Sequence, residues 1–129
     1  MNNKFIPSSR KIIPAGRYPA QISNFSFEED YKFGSYLHDV FVTSYRVNTG
    51  KRIRDLDTFI FYSERENSDC EMLTNQLDEV LGETFSNIDE LPGMFVDIEV
   101  SIEESRAGNK YNKIVGFAPF TGKQSDFNV

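Results

Sequence analysis

Hydrophobic and polar positions alternate most regularly between Leu91 and Phe120. Met94, Val96, Ile98, Val100 and Ile102 take every second place, with Phe95, Asp97, Glu99, Ser101 and Glu103 between them. That is the period of a strand with one face buried and the other wet. The polar stretch Glu104–Lys110, with Gly108 and Asn109, predicts a reversal, and Tyr111–Phe117 predicts the returning strand of a long hairpin. The same period upstream predicts three more strands. Arg17–Phe27 sets Tyr18, Ala20 and Ile22 against Arg17, Gln21 and Ser23, then adds Phe25 and Phe27; Glu28–Ser35 after it is expected to be a loop. In Tyr36–Val47, Val40 and Val42 are expected to face inward, and Asp39, Phe41, Thr43 and Tyr45 outward. Asn48-Thr49-Gly50 predicts a hairpin turn into Lys51–Tyr62, where Leu56 and Ile60 share one face and Asp55, Asp57, Phe59 and Phe61 the other.

The period changes between the third and fourth strands. Ser68-Asp69-Cys70-Glu71 has the spacing of a capping box, Leu73, Leu77, Val80 and Leu81 recur at helical spacing, and Gly82 supplies a stop. A helix is predicted over Asp69–Leu81, with a short turn at Asn87–Leu91 before Pro92-Gly93 opens the fourth strand. The fold class is therefore all-β with one helix, in the order β-β-β-α-β-β. That is the element order of the five-stranded OB-fold barrel, whose helix plugs one end. Residues 1–13 are expected to be a flexible N-terminal arm, 14–120 the OB-fold domain and 121–129 a flexible C-terminal tail.

Bulk composition narrows the function classes. At 129 residues the chain has room for one core. No stretch reaches the roughly 20 apolar residues of a membrane span, and the N-terminus has no apolar signal core. Cys70 is the only cysteine, which points to a reducing, cytoplasmic setting. The net charge of −6 is unevenly spread: residues 1–65 carry ten Lys and Arg against seven Asp and Glu, and residues 66–129 four against thirteen. Overall acidity argues against coating nucleic acid through bulk charge, but leaves room for a basic groove in the first half.

Four stretches, IPAGRYPAQISNFSFEED, GSYLHDVFVTSYRVNTGKRIRDLDTFIF, LPGMFVDIEV and YNKIVGFAP, resemble the small OB-fold single-stranded-DNA-binding proteins of bacteriophages. The resemblance covers residues 13 to 120. It rests on P-x-G before the first strand, a G-K/R tract at the second hairpin and P-G-M-F-V before the fourth strand. It implies a non-enzymatic protein without a cofactor that binds single-stranded DNA with no sequence preference in phage replication or recombination. Its setting would be the bacterial host cytoplasm, with replication or recombination proteins as partners. The chain departs from the family pattern at its C-terminus. Only Asp126 stands beside Phe127, where many such proteins end in a strongly acidic tail that recruits partners.

The candidate site follows from the expected faces. Phe41, Tyr45, Phe59 and Phe61 would form a stacking platform on the second and third strands, where a base on a ring is worth about 1–3 kcal/mol irrespective of its identity. Arg46, Lys51, Arg52 and Arg54 would meet phosphates around the joining turn. Two flanking segments, Tyr31-Lys32-Phe33 and Arg106–Tyr111 with Arg106, Lys110 and Tyr111, followed by Lys113, would close over the strand. Asp55 and Asp57 oppose this reading, since carboxylates repel phosphate. The alternative is a protein-interaction or assembly module, an accessory or virion component whose aromatic face packs on a second copy. Catalysis finds little support. His38 has no second His or Cys near it in sequence, and Cys70 reads as an ordinary helix-start residue. Asp55/Asp57 and Asp97/Glu99 are explained by alternation on a wet strand, and there is no zinc pattern, phosphate loop or nucleophile elbow.

Overall fold

In a computed structural model, which describes residues 12–82 and 87–128, the chain forms a five-stranded antiparallel sheet and one helix. The strands are β1 (Gly16–Phe33), β2 (Tyr36–Asn48), β3 (Ile53–Phe61), β4 (Phe95–Glu104) and β5 (Lys110–Ala118), and the helix is α1 (Asp69–Leu81). The predicted element order holds. The sheet order is β3-β2-β1-β4-β5, and no ladder joins β3 to β5. Among the described residues, no helix is long and apolar enough to cross a membrane.

The helix forms as its caps predict, with one change. The Ser68 hydroxyl accepts from Glu71 N–H at 3.1 Å, but the Glu71 carboxylate reaches past Ser68 to accept from Asn67 N–H at 2.8 Å. Leu73 and Leu77 are buried in the core. The helix lies so close to β5 that its Gln76 accepts from Phe117 N–H at 2.9 Å. A Cβ on Gly116 would lie 2.9 Å from Glu99 Oε1, which would have to swing aside, and 3.6 Å from Gln76.

Strand β1 is longer than its pattern shows. It continues through Glu28–Phe33, expected to be a loop, and turns only at Gly34, whose φ of 65° suits glycine. Its first part pairs with β4 (Gly16–Gln21 with Phe95–Val100), and from Ala20 onward it pairs with β2. Two bulges interrupt the β2 ladder, between Ile22 and Asn24 and between Glu28 and Tyr31. Each inserts one residue and so moves every later side chain to the opposite face. Ala20, Ile22 and Phe25 are buried in the core, Phe27 lies on the same side but is 37% exposed, and past the second bulge Tyr31 and Phe33 face out. Asp30 holds that second bulge in a left-handed conformation (φ 52°), its N–H donating to the Asp39 carboxylate at 2.9 Å.

Strand β2 faces the opposite way from expectation. Tyr45 pairs with Leu56 and Phe41 with Ile60, so Phe41, Thr43, Tyr45 and Val47 line the core side. Val40 and Val42 lie on the outer side, where Val40 is nevertheless fully buried, as expected, outside the main core cluster. The reason is charge. Burying the row 40, 42, 44, 46 would bury the Arg46 guanidinium, whereas the row 41, 43, 45, 47 buries two rings and a valine. The turn agrees: Thr49 N–H donates to Arg52 O at 3.1 Å, leaving Gly50-Lys51 at the tip and setting the register of the whole hairpin.

Both termini of the described chain are tied down. The expected arm, residues 1–13, falls largely on residues 1–11, outside the described residues. Ile13 at its end is buried, donating to and accepting from the Asn112 side-chain amide at 2.9 Å each. Residues 121–128, expected to be a flexible tail, fold back over the outer face of β1 and β4. The buried Asp97 carboxylate accepts from Thr121 N–H at 3.0 Å, from Thr121 Oγ1 at 2.7 Å and from Arg17 Nε at 3.0 Å. Gly122 passes so close to Pro19 that a Cβ would lie 2.9 Å from it. Phe127 is buried against Phe95 and Phe120. Alternation along the strands could not reveal this cover, because the tail itself has no period.

Candidate nucleic-acid interface

Four rings meet on the outer face at the far end of β3. The second β1 bulge brings Tyr31 and Phe33 beside Phe59 and Phe61 of β3. Tyr31 lies 5.1 Å from Phe33 and 5.1 Å from Phe59, and Phe33 lies 5.2 Å from Phe59 and 5.3 Å from Phe61, centroid to centroid. His38 stands edge-on to Phe61 at 5.0 Å and extends the row toward Tyr36. These tilted and edge-to-face arrangements are the favoured ones for aromatic pairs. The cluster is open to solvent: Tyr36 is 61% exposed, Phe61 52% and Phe59 38%.

Beside the rings runs a groove of about 840 Å³ between β3 and β5, the edge strands of the described sheet, with Ile12 also in its lining. One bank is β3 from Arg54 to Phe61; the other is Lys110–Ile114 of β5, with Asp69 and Leu73 of α1 at the floor. Tyr111 is exposed on the second bank and Lys110 lies next to it. Lys113 bridges to Asp69 at 3.2 Å, an exposed pair of small energetic weight.

The predicted site residues divide accordingly. Tyr31, Phe33, Phe59, Phe61, Lys110, Tyr111 and Lys113 come together around the groove and the ring cluster, and Arg54 lines the groove's end. Lys32 sits between Tyr31 and Phe33 on the strand. Lys51 and Arg52 are exposed at the β2–β3 turn, and Arg106 is exposed in the β4–β5 turn; none of the three lines the groove.

Three residues are corrected. Phe41 packs on the core side against Phe25, Phe27 and Tyr62. Tyr45 is fully buried, and burial pushes its phenol pKa well up, an effect the neighbouring Thr43 hydroxyl opposes only in part. Its oxygen makes no hydrogen bond of good geometry among the described residues. Neither ring can meet a base. Arg46 is committed to structure, donating to Gln21 Oε1 at 3.0 Å and to the Phe127 carbonyl at 2.7 Å. Residues missed by sequence reasoning are Tyr36 and His38, which extend the ring cluster. Their signal was present, since they share a parity with Val42 and Val40 once the turn register is applied.

No protein-family model matches the chain, and no curated protein matches it closely enough to lend it a function.

Proposed function

We propose that this protein is an OB-type domain that binds single-stranded DNA without sequence preference. The observation that carries the reading is the open cluster of Tyr31, Phe33, Phe59 and Phe61 beside a groove whose other bank presents Tyr111 and Lys110. Rings offered at a solvent-facing surface stack bases of any identity, and cations beside them meet the backbone. The OB-type reading draws support from the βββαββ order and from β1, which pairs with both β4 and β2 and bulges between the two. In such a barrel β3 and β5 would be the closing pair, and the groove lies between them. The resemblance of residues 13–120 to phage single-stranded-DNA-binding proteins favours a role in replication or recombination.

Titration of labelled oligo-dT at several salt concentrations tests the function. With about five phosphates neutralised by such residues as Lys32, Lys51, Arg52, Arg106 and Lys110, log affinity falls against log salt with a slope of about −3.5. Absence of binding at low salt overturns the reading. A second reading, self-assembly through the same face, is favoured by the extent of exposed apolar surface from Tyr36 and Leu37 to Phe61. It predicts an oligomer that dissociates on Phe61→Ala and no oligonucleotide binding.

A further inference from the structure

The edge of β3 carries a second kind of binding capacity, independent of its rings. At one end of the β2–β3 ladder Tyr62 N–H donates to Asp39 O at 2.9 Å, and at the other Thr49 N–H donates to Arg52 O at 3.1 Å. Antiparallel ladders alternate bonded and non-bonded pairs, and the β2–β3 register runs without a bulge. The even-numbered residues of β3 therefore turn their N–H and C=O groups toward β2. Those of Asp55, Asp57, Phe59 and Phe61 turn toward the groove, where no strand of the described residues pairs with them. Among the described residues no strand covers this edge, and β3 spans nine residues without proline or bulge, so its protection against indiscriminate pairing is its charge. Its only acidic side chains, Asp55 and Asp57, are exposed at alternate positions on the outer side.

We propose that the free edge of β3 accepts an extended segment of a partner protein as an added antiparallel strand, with basic side chains at the alternate positions that fall opposite Asp55 and Asp57. Main-chain bonds to the four outward residues supply the docking, and directly opposed unlike charges supply the register. The inward side chains of the added strand meet the apolar floor formed by Leu56, Ile60 and Leu73. A second copy of β3 is disfavoured in the registers centred on Leu56 or Asp57, which set carboxylates opposite carboxylates.

The probe is a capped, labelled peptide, Thr-Val-Thr-Val-Lys-Val-Lys, whose lysines fall opposite Asp57 and Asp55 when it lies antiparallel to β3. Fluorescence anisotropy with the full chain is expected to show saturable binding. Methylating the backbone nitrogens of the Thr and Lys residues removes the donors but keeps the side chains, and is expected to weaken binding at least tenfold. The double variant Asp55→Lys/Asp57→Lys is expected to weaken it at least tenfold as well, and to strengthen oligo-dT binding where that occurs. The two functions thus fail separately: loss of oligo-dT binding leaves the peptide result untouched. Hydrogen exchange of the Asp55, Asp57, Phe59 and Phe61 amides is expected to be fast in the free protein and slow with peptide. No peptide binding, or equal binding of the methylated peptide, overturns the proposal. So does slow exchange of these amides in the free monomer, which would mean that the chain fills its own groove. A dimer that Asp57→Pro dissociates would assign the edge to a second copy and also overturn it.

Discussion

Two aromatic clusters share the outer face of one sheet, and only one is covered. Phe95, Phe120 and Phe127 lie 5.1 to 6.0 Å apart, and Tyr31, Phe33, Phe59 and Phe61 lie 5.1 to 5.3 Å apart in the contacts they make. Ring geometry does not distinguish them. The first is sealed by the chain's own C-terminal segment, so Phe127 is 2% exposed. The seal is held by polar groups at both ends, Asp97 on Thr121 and Arg46 on the Phe127 carbonyl. The second has Lys110 on the other bank of the groove and no comparable clamp among the described residues. A row of exposed rings is thus evidence of binding only where the chain lacks its own means of covering it. Arg46 marks the boundary: it lies in a cross-sheet row with Phe95, Gln21 and Asp55, and its bonds go to the covered side.

This contrast can be broken from either side. The largest effect is expected for Phe127→Ala, which should cost about 3 kcal/mol of unfolding free energy by denaturant titration, as for a buried ring, and leave oligo-dT affinity unchanged. Phe59→Ala should do the reverse, lowering oligo-dT affinity by about 1–3 kcal/mol, roughly five- to 150-fold, with a far smaller change in stability. If both variants lose stability alike, the open cluster is structural and the contrast fails. Asp97→Ala removes the acceptor for Thr121 and Arg17; an expected loss of about 1–2 kcal/mol should appear with faster proteolysis of the tail, again without weakening oligonucleotide binding. The smallest effect sharpens the electrostatic side. Lys110→Ala should weaken oligo-dT binding equally for all base compositions and make the salt slope shallower by about 0.7.

Much of this molecule was legible because local rules agreed with one another. Helix α1 has a cap, a stripe and a glycine stop within fifteen residues, from Ser68 to Gly82, and forms where they say. The β4–β5 hairpin forms as predicted, although its ladder shifts register between Glu99 and Val100, Ile102 is exposed and Asp97 is buried. The faces of β3 follow from strict alternation, with Asp55, Asp57, Phe59 and Phe61 outward as expected. The face of β2 was legible in principle. Both of its parities are apolar near Val40–Val42, but Arg46 and the two-residue turn at Gly50-Lys51 select the odd row. The valines fit either face, and the charge of Arg46 decides between them.

What the sequence by itself determined is the order of elements, the helix and its caps, the hairpin turns and the outward rings of β3. All of these are set by interactions within a few residues of one another. Tertiary structure alone decided the two bulges of β1, the burial of Phe127 and the separation of the β3 and β5 edges. A bulge is one extra residue whose placement depends on the partner strand, as when Asp39 holds Asp30. The tail has no pattern of its own and is fixed by Asp97, Arg46 and Pro19, remote in the chain. The open ring cluster needed both: its residues were visible in the sequence, but only the second bulge turns Tyr31 and Phe33 toward Phe59 and Phe61.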